Sequence, residues 1–72
     1  MKNLYRFLEK DPGGHLTTIF YRLINDQKAK ELALHKVTIL DNISQVTVYR
    51  HLDDNTCGIM QYLACYQKPT VK

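Results

Sequence analysis

The strongest constraint in this sequence is the placement of its apolar residues between positions 16 and 24. Leu16, Ile19, Phe20, Leu23 and Ile24 fall at i, i+3, i+4, i+7 and i+8, the spacing of a helix with one buried stripe. The pattern predicts a core helix there. Leu4, Phe7 and Leu8 repeat the spacing on a smaller scale and predict a short helix that ends at Asp11-Pro12-Gly13-Gly14, where proline disfavours helix in its predecessor and glycine permits positive φ. A third helix is expected from Asp26, a good N-cap, to about Leu40, with Ala29, Leu32, Ala33, Val37 and Leu40 on one face. Asp41-Asn42-Ile43-Ser44 reads as a tight break, and Ser44 can cap a further helix over Gln45 to Asp53. Residues 57 to 67 suit two structures. Ile59, Leu63 and Tyr66 fit a helix, whereas Met60, Tyr62, Ala64 and Tyr66 alternate as in a strand.

A chain of 72 residues holds one core and excludes two-domain enzymes. One domain over 1–67 and a flexible tail over 68–72 are therefore expected, Pro69 and two lysines standing near the end. Only three glycines and two prolines interrupt it, so the expected class is mainly α. Ten Lys and Arg against seven Asp and Glu give +3, a balance that tolerates a polyanion without requiring one. Two cysteines close at most one disulfide, no apolar run reaches the ~18 residues of a membrane span, and the start lacks a signal-peptide core. These features lead to the expectation of a cytoplasmic protein with no membrane partner.

Chemistry concentrates in Ile43-Ser44-Gln45-Val46-Thr47-Val48-Tyr49-Arg50-His51-Leu52-Asp53. As a helix, this stretch buries Ile43, Val48 and Leu52 and exposes Ser44, Gln45, Val46, Thr47, Tyr49 and Arg50. Arginine can grip guanine, glutamine can read adenine, valine can meet a thymine methyl, and the hydroxyls can reach phosphates.

The same residues resemble the turn and recognition helix of helix-turn-helix DNA-binding proteins. Mapped onto the lactose-repressor type, Asn42 takes the usual glycine turn position, Thr47 and Tyr49 face phosphates, and Gln45, Val46 and Arg50 read bases. The spelling departs from that type at Thr38, Asp41 and His51. Over a longer stretch, Glu31-Leu32, Ile43-Ser44, Thr47 to Arg50, Leu52-Asp53 and Gly58-Ile59 resemble the winged-helix, DNA-binding half of the ferric-uptake-regulator family. That similarity covers about thirty residues and leaves out the family's metal-sensing half. In size the chain resembles compact regulators of phages and plasmids.

These resemblances imply a compact helix-turn-helix domain, with a short C-terminal β wing if residues 57 to 67 form strand. They also imply a homodimeric, sequence-specific transcription regulator of double-stranded DNA with residues 45 to 53 in the major groove. Lys28, Lys30 and Lys36 would lie near phosphates. The alternative is a small adaptor or inhibitor that docks on a host or regulatory protein without binding DNA.

Other chemistry is weaker. His15, His35, His51, Cys57 and Cys65 lack structural-zinc spacing, so no metal or cofactor is expected. The two cysteines read as small apolar fillers. Asp53-Asp54 reads as an element end, and no phosphate loop or catalytic triad order is present, so no enzyme is expected. Among five tyrosines, Tyr5 and Tyr21 are expected to edge the core, and Tyr62 and Tyr66 to form a dimer surface.

Overall fold

The computed structural model describes residues 2–52 and 58–68. Its elements are strand β1 (Asn3–Lys10), strand β2 (Leu16–Leu23), helix α1 (Asp26–Ile39), strand β3 (Gln45–His51) and strand β4 (Met60–Gln67). The strands form one sheet in the order β2-β1-β3-β4, every neighbouring pair antiparallel. Because β2 and β3 both oppose β1, they run parallel to each other, and α1 is the crossover that carries the chain over β1 between them.

The mainly-α, helix-turn-helix expectation is thereby overturned. Three segments read as helices are strands, including the supposed recognition helix, and α1 is the only helix among the described residues. A helix-turn-helix needs a second helix for α1 to pack on, and β3 stands in its place. The winged-helix version fails for the same reason, since β4 is a full member of the sheet and no wing attached to a helical body. Asp53, Asp54, Cys57 and Pro69 to Lys72 lie outside the described residues. Lys68, expected in a loose tail, donates its backbone N–H to Ser44 O at 2.8 Å and its ammonium to Leu40 O at 2.7 Å.

The physical reason lies in the strands' two faces. In β1, Tyr5 and Phe7 point to the helix and are fully buried, while Leu4 and Leu8 belong to the other face. A strand that is apolar on both sides places residues at 4, 7 and 8 as readily as a helix does. In β3, Val46 and Val48 are fully buried between Gln45, Thr47 and Tyr49 on the opposite face, a strict period of two built from β-branched and aromatic residues. That composition outweighs the helical reading of the same stretch.

The helix between them is where the sequence placed it. Ala29, Ala33 and Val37 repeat every fourth residue with at most 1% exposure, and their small size lets α1 sit close to Tyr5, Phe7, Ile43, Val46 and Val48. The cap is Asn25 rather than Asp26: the Asn25 carboxamide oxygen accepts the Lys28 N–H at 2.9 Å, and Asp26 occupies the first turn, where an acid suits the helix dipole. Asn25→Ala is expected to lower unfolding free energy by about 1 kcal/mol in urea titrations. The β1–β2 turn closes on Asp11, whose carbonyl accepts from Gly14 and whose carboxylate accepts from the His15 N–H. Gly14 sits at φ +90°, a conformation that a side chain would strain.

Candidate functional site

The helix covers one face of the sheet and leaves the other bare of any described element, although Leu4 and His51 at one end of that face are buried. On the bare face, register pairs the side chains into rows that cross the strands. One row joins Phe20, Arg6, Tyr49 and Tyr62, one residue from each of β2, β1, β3 and β4. With about 4.8 Å between neighbouring strands, the row spans roughly 14 Å. Tyr62 is 58% and Phe20 42% exposed. The two tyrosine rings meet edge to face with centroids 6.0 Å apart, and the Arg6 guanidinium carbon lies 5.9 Å from the Phe20 ring centre. The register between β3 and β4 shifts at Val48/Tyr49, so Leu63 turns to the core while Tyr62 keeps its place opposite Tyr49.

Neighbouring rows supply polar and charged groups. Lys10 stands between Leu16 and Gln45, with Gln67 beyond, and the Gln67 amide donates to Gln45 Oε1 at 3.2 Å. Thr18, Leu8, Thr47 and Cys65 form the row between, with the Thr47 hydroxyl donating to Cys65 Sγ at 3.4 Å. On the far side, Arg22 pairs with Leu4 and His51 with Met60. The face therefore carries Arg6, Lys10 and Arg22, and among the described residues no Asp or Glu. Cys65, expected as a buried filler, is exposed here.

The residues singled out in the sequence divide between the two sides of the sheet. Gln45, Thr47 and Tyr49 lie on the bare face, and Ser44 stands at its end, where its hydroxyl reaches the carbonyls of Lys10 and Asp11. Val46, assigned to a thymine methyl, is fully buried under the helix. Arg50 also faces the helix side: its Nη1 lies 3.4 Å from both oxygens of Asp26, and its Nη2 donates to Gln61. Tyr5 donates its hydroxyl to the same Asp26 at 2.8 Å, so Asp26 ties the start of α1 to β1 and β3. Burial, first of all, and the Asp26 carboxylate raise the Tyr5 hydroxyl's pKa, against the opposing pull of Asn3 and Arg50.

Lys36, expected at a phosphate, is paired instead with Glu9, Nζ to Oε2 2.6 Å, and donates to the Tyr21 hydroxyl. Side-chain exposures of 14% for Lys36 and 9% for Glu9 make this the best-shielded ion pair described. Burial pulls the Lys36 pKa down, but Glu9 and Tyr21 outweigh it and leave it above its ordinary value. Tyr5 and Lys36 both hold their protons more tightly when folded, so each contributes stability that is complete below its unfolded pKa and disappears as pH rises through the folded one. Chemical denaturation midpoints are therefore expected to fall as pH climbs above about 10, and Lys36→Met should remove the lysine's share of that dependence.

The sequence reading missed Arg6, Phe20, Arg22 and His51. Their signal was period-two alternation in β1, β2 and β3, read there as helix. Tyr62 was singled out as interface and is the most exposed aromatic of the central row, whereas Tyr66 packs against the core. Among the described residues no helix is long and apolar enough to cross a membrane. No protein-family model, curated protein or solved structure matches the chain.

Proposed function

We propose that the bare face of the sheet binds single-stranded nucleic acid. The observation that carries this reading is the row Phe20, Arg6, Tyr49 and Tyr62, three aromatic rings and a guanidinium in line across four strands. Aromatic side chains on a sheet accept unstacked bases of any sequence, and a base stacked on one contributes about 1–3 kcal/mol. Lys10, beside that row, supplies a phosphate contact, and among the described residues no carboxylate on the face repels a polyanion. Double-stranded DNA is a poorer fit, because bases inside a duplex do not offer their faces to a stacking platform.

Two copies stacked face to face would bring Arg6 and Lys10 of each together with no opposing acid among the described residues, which disfavours self-association through this surface. Docking of a protein partner is the second reading, favoured by the exposure of Leu16 at 65%, Leu52 at 55% and Ile59 at 72%. The two differ in salt dependence.

Fluorescence anisotropy with a labelled thymidine octamer tests the reading. Binding at low salt is expected to weaken as salt is added, with a negative log–log slope of about 0.7 for each phosphate contact. An absence of binding at low salt, or an affinity indifferent to salt, overturns it.

A further inference from the structure

We infer that Arg6 and His51 form a guanine-reading position within this face, an inference that rests on the single-strand reading above. The starting point is a shortage of hydrogen-bond partners where none should be short. His51 is only 5% exposed, and neither of its ring nitrogens has a partner. The Nε of Arg6 is likewise buried and unpartnered, and its Nη1 donates only to the thioether of Met60 at 3.6 Å, a weak acceptor. Buried polar groups are almost always satisfied in folded proteins, and an arginine fork is a strong, planar donor whose natural match is a pair of adjacent acceptors. Two such groups left unmatched side by side mark a place prepared for a ligand.

Their position fits a base. Arg6 lies in the central row between Phe20 and Tyr49, so a base stacked on either ring points an edge at the guanidinium. His51 is in the next row on β3, its ring 5.9 Å from that of Phe20, and Met60 is its cross-strand neighbour. Met60 thus caps both groups: it contacts Arg6 directly and flanks His51. The methionine is 37% exposed and unbranched, so it can swing aside at small cost and uncover both together.

Guanine matches what is uncovered. It presents O6 and N7 as adjacent acceptors for the arginine fork and an amino donor further round its edge for an imidazole nitrogen that accepts. Adenine places an amino donor beside N7, which opposes one N–H of the fork. The aromatic row then supplies affinity without sequence preference, and the Arg6–His51 pair supplies the preference.

Thymidine octamers carrying one central guanine or one central adenine, as DNA and as the uridine equivalents, test this by anisotropy at fixed low salt. The guanine octamer is expected to bind about tenfold more tightly than the adenine one. Arg6→Lys keeps the charge but loses the fork, and should bring the ratio of the two affinities close to one, whereas Lys28→Ala on the far side of the molecule should leave it unchanged. Met60→Ala, which removes the cap without touching either reader, should tighten the guanine octamer severalfold, and gives a second measurement should Arg6→Lys fail to fold. Equal affinity for both octamers in the unmodified protein, a ratio that survives Arg6→Lys, or weaker guanine binding by Met60→Ala overturns the guanine assignment while leaving single-strand binding intact. Failure to bind any octamer would instead remove the reading on which it rests.

Discussion

Phe7→Ala is expected to leave the chain largely unfolded at room temperature. Phe7 is fully buried on the central strand β1, where it faces Val48 across β3 and Ile19 across β2, and its ring packs edge to face on Tyr21 at 4.8 Å. Truncating a phenylalanine in such a site costs about 3–5 kcal/mol from lost transfer energy and the cavity left behind. A domain of this size stands near the low end of the ~5–15 kcal/mol range of natural stabilities, so that loss consumes most of the margin. Far-ultraviolet circular dichroism with urea titration checks it. A variant that keeps its sheet signal and a midpoint close to the original would mean that the core does not depend on the β1–α1 contact. Leu8→Ala, on the other face and only partly buried, should cost clearly less.

The second large effect concerns binding alone. Tyr49→Ala together with Tyr62→Ala removes two of the three rings in the central row, and at about 1–3 kcal/mol per stacked base the pair should weaken single-strand affinity by roughly thirtyfold or more. Neither tyrosine belongs to the core cluster under the helix, and Tyr62 is more than half exposed, so the sheet should persist in the variant. Retained structure with lost affinity is the expected pair of results. Retained structure with unchanged affinity would place the nucleic acid somewhere other than this row. Arg50→Ala provides the contrast, because Arg50 holds Asp26 on the helix side of the sheet and has no place on the bare face.

How much of this was legible in the sequence differs from element to element. Helix α1 could be read because Ala29, Ala33 and Val37 keep a helical period while Lys28, Glu31, Leu34 and His35 between them are exposed, and a crossover helix on a sheet has one buried side only. The two turns were legible from Asp11 to Gly14 and from Asp41 to Ser44, where the local chemistry decides the backbone. The strands were hidden by their own amphipathicity. In β2, Ile19, Tyr21 and Leu23 lie on the helix side while Leu16 and Phe20 lie on the bare side, so apolar residues of both faces combine into a false helical stripe. A bare face that keeps large apolar residues disrupts the period of two that would otherwise announce a strand. In β3 the resemblance to a recognition helix rested on residue identities, and the local preference of Val46-Thr47-Val48-Tyr49 for extended backbone ran against it.

The candidate site was legible in fragments for the same reason. Gln45, Thr47 and Tyr49 were chosen as exposed polar groups on a helix and are half-buried on a strand, outside the core in both readings. Val46 and Arg50 changed sides, because a period of two sends alternate residues to opposite faces whereas a helix gathers neighbours on one arc, and Lys36 on α1 is taken up by Glu9 of β1. Arg6 and His51 come together only through strand pairing across 45 positions of sequence, which no local pattern encodes.

Nucleic acid bound on the bare face of the sheet would shift the amide resonances of that face and spare those of the helix. Titrating the isotopically labelled protein with an unlabelled thymidine octamer at low salt should move the resonances of Arg6, Phe20, Tyr49, His51 and Tyr62 in one saturable process and leave Lys28, Glu31 and His35 on the outer side of α1 in place. Perturbations centred on α1, or none at all at millimolar octamer, would contradict it.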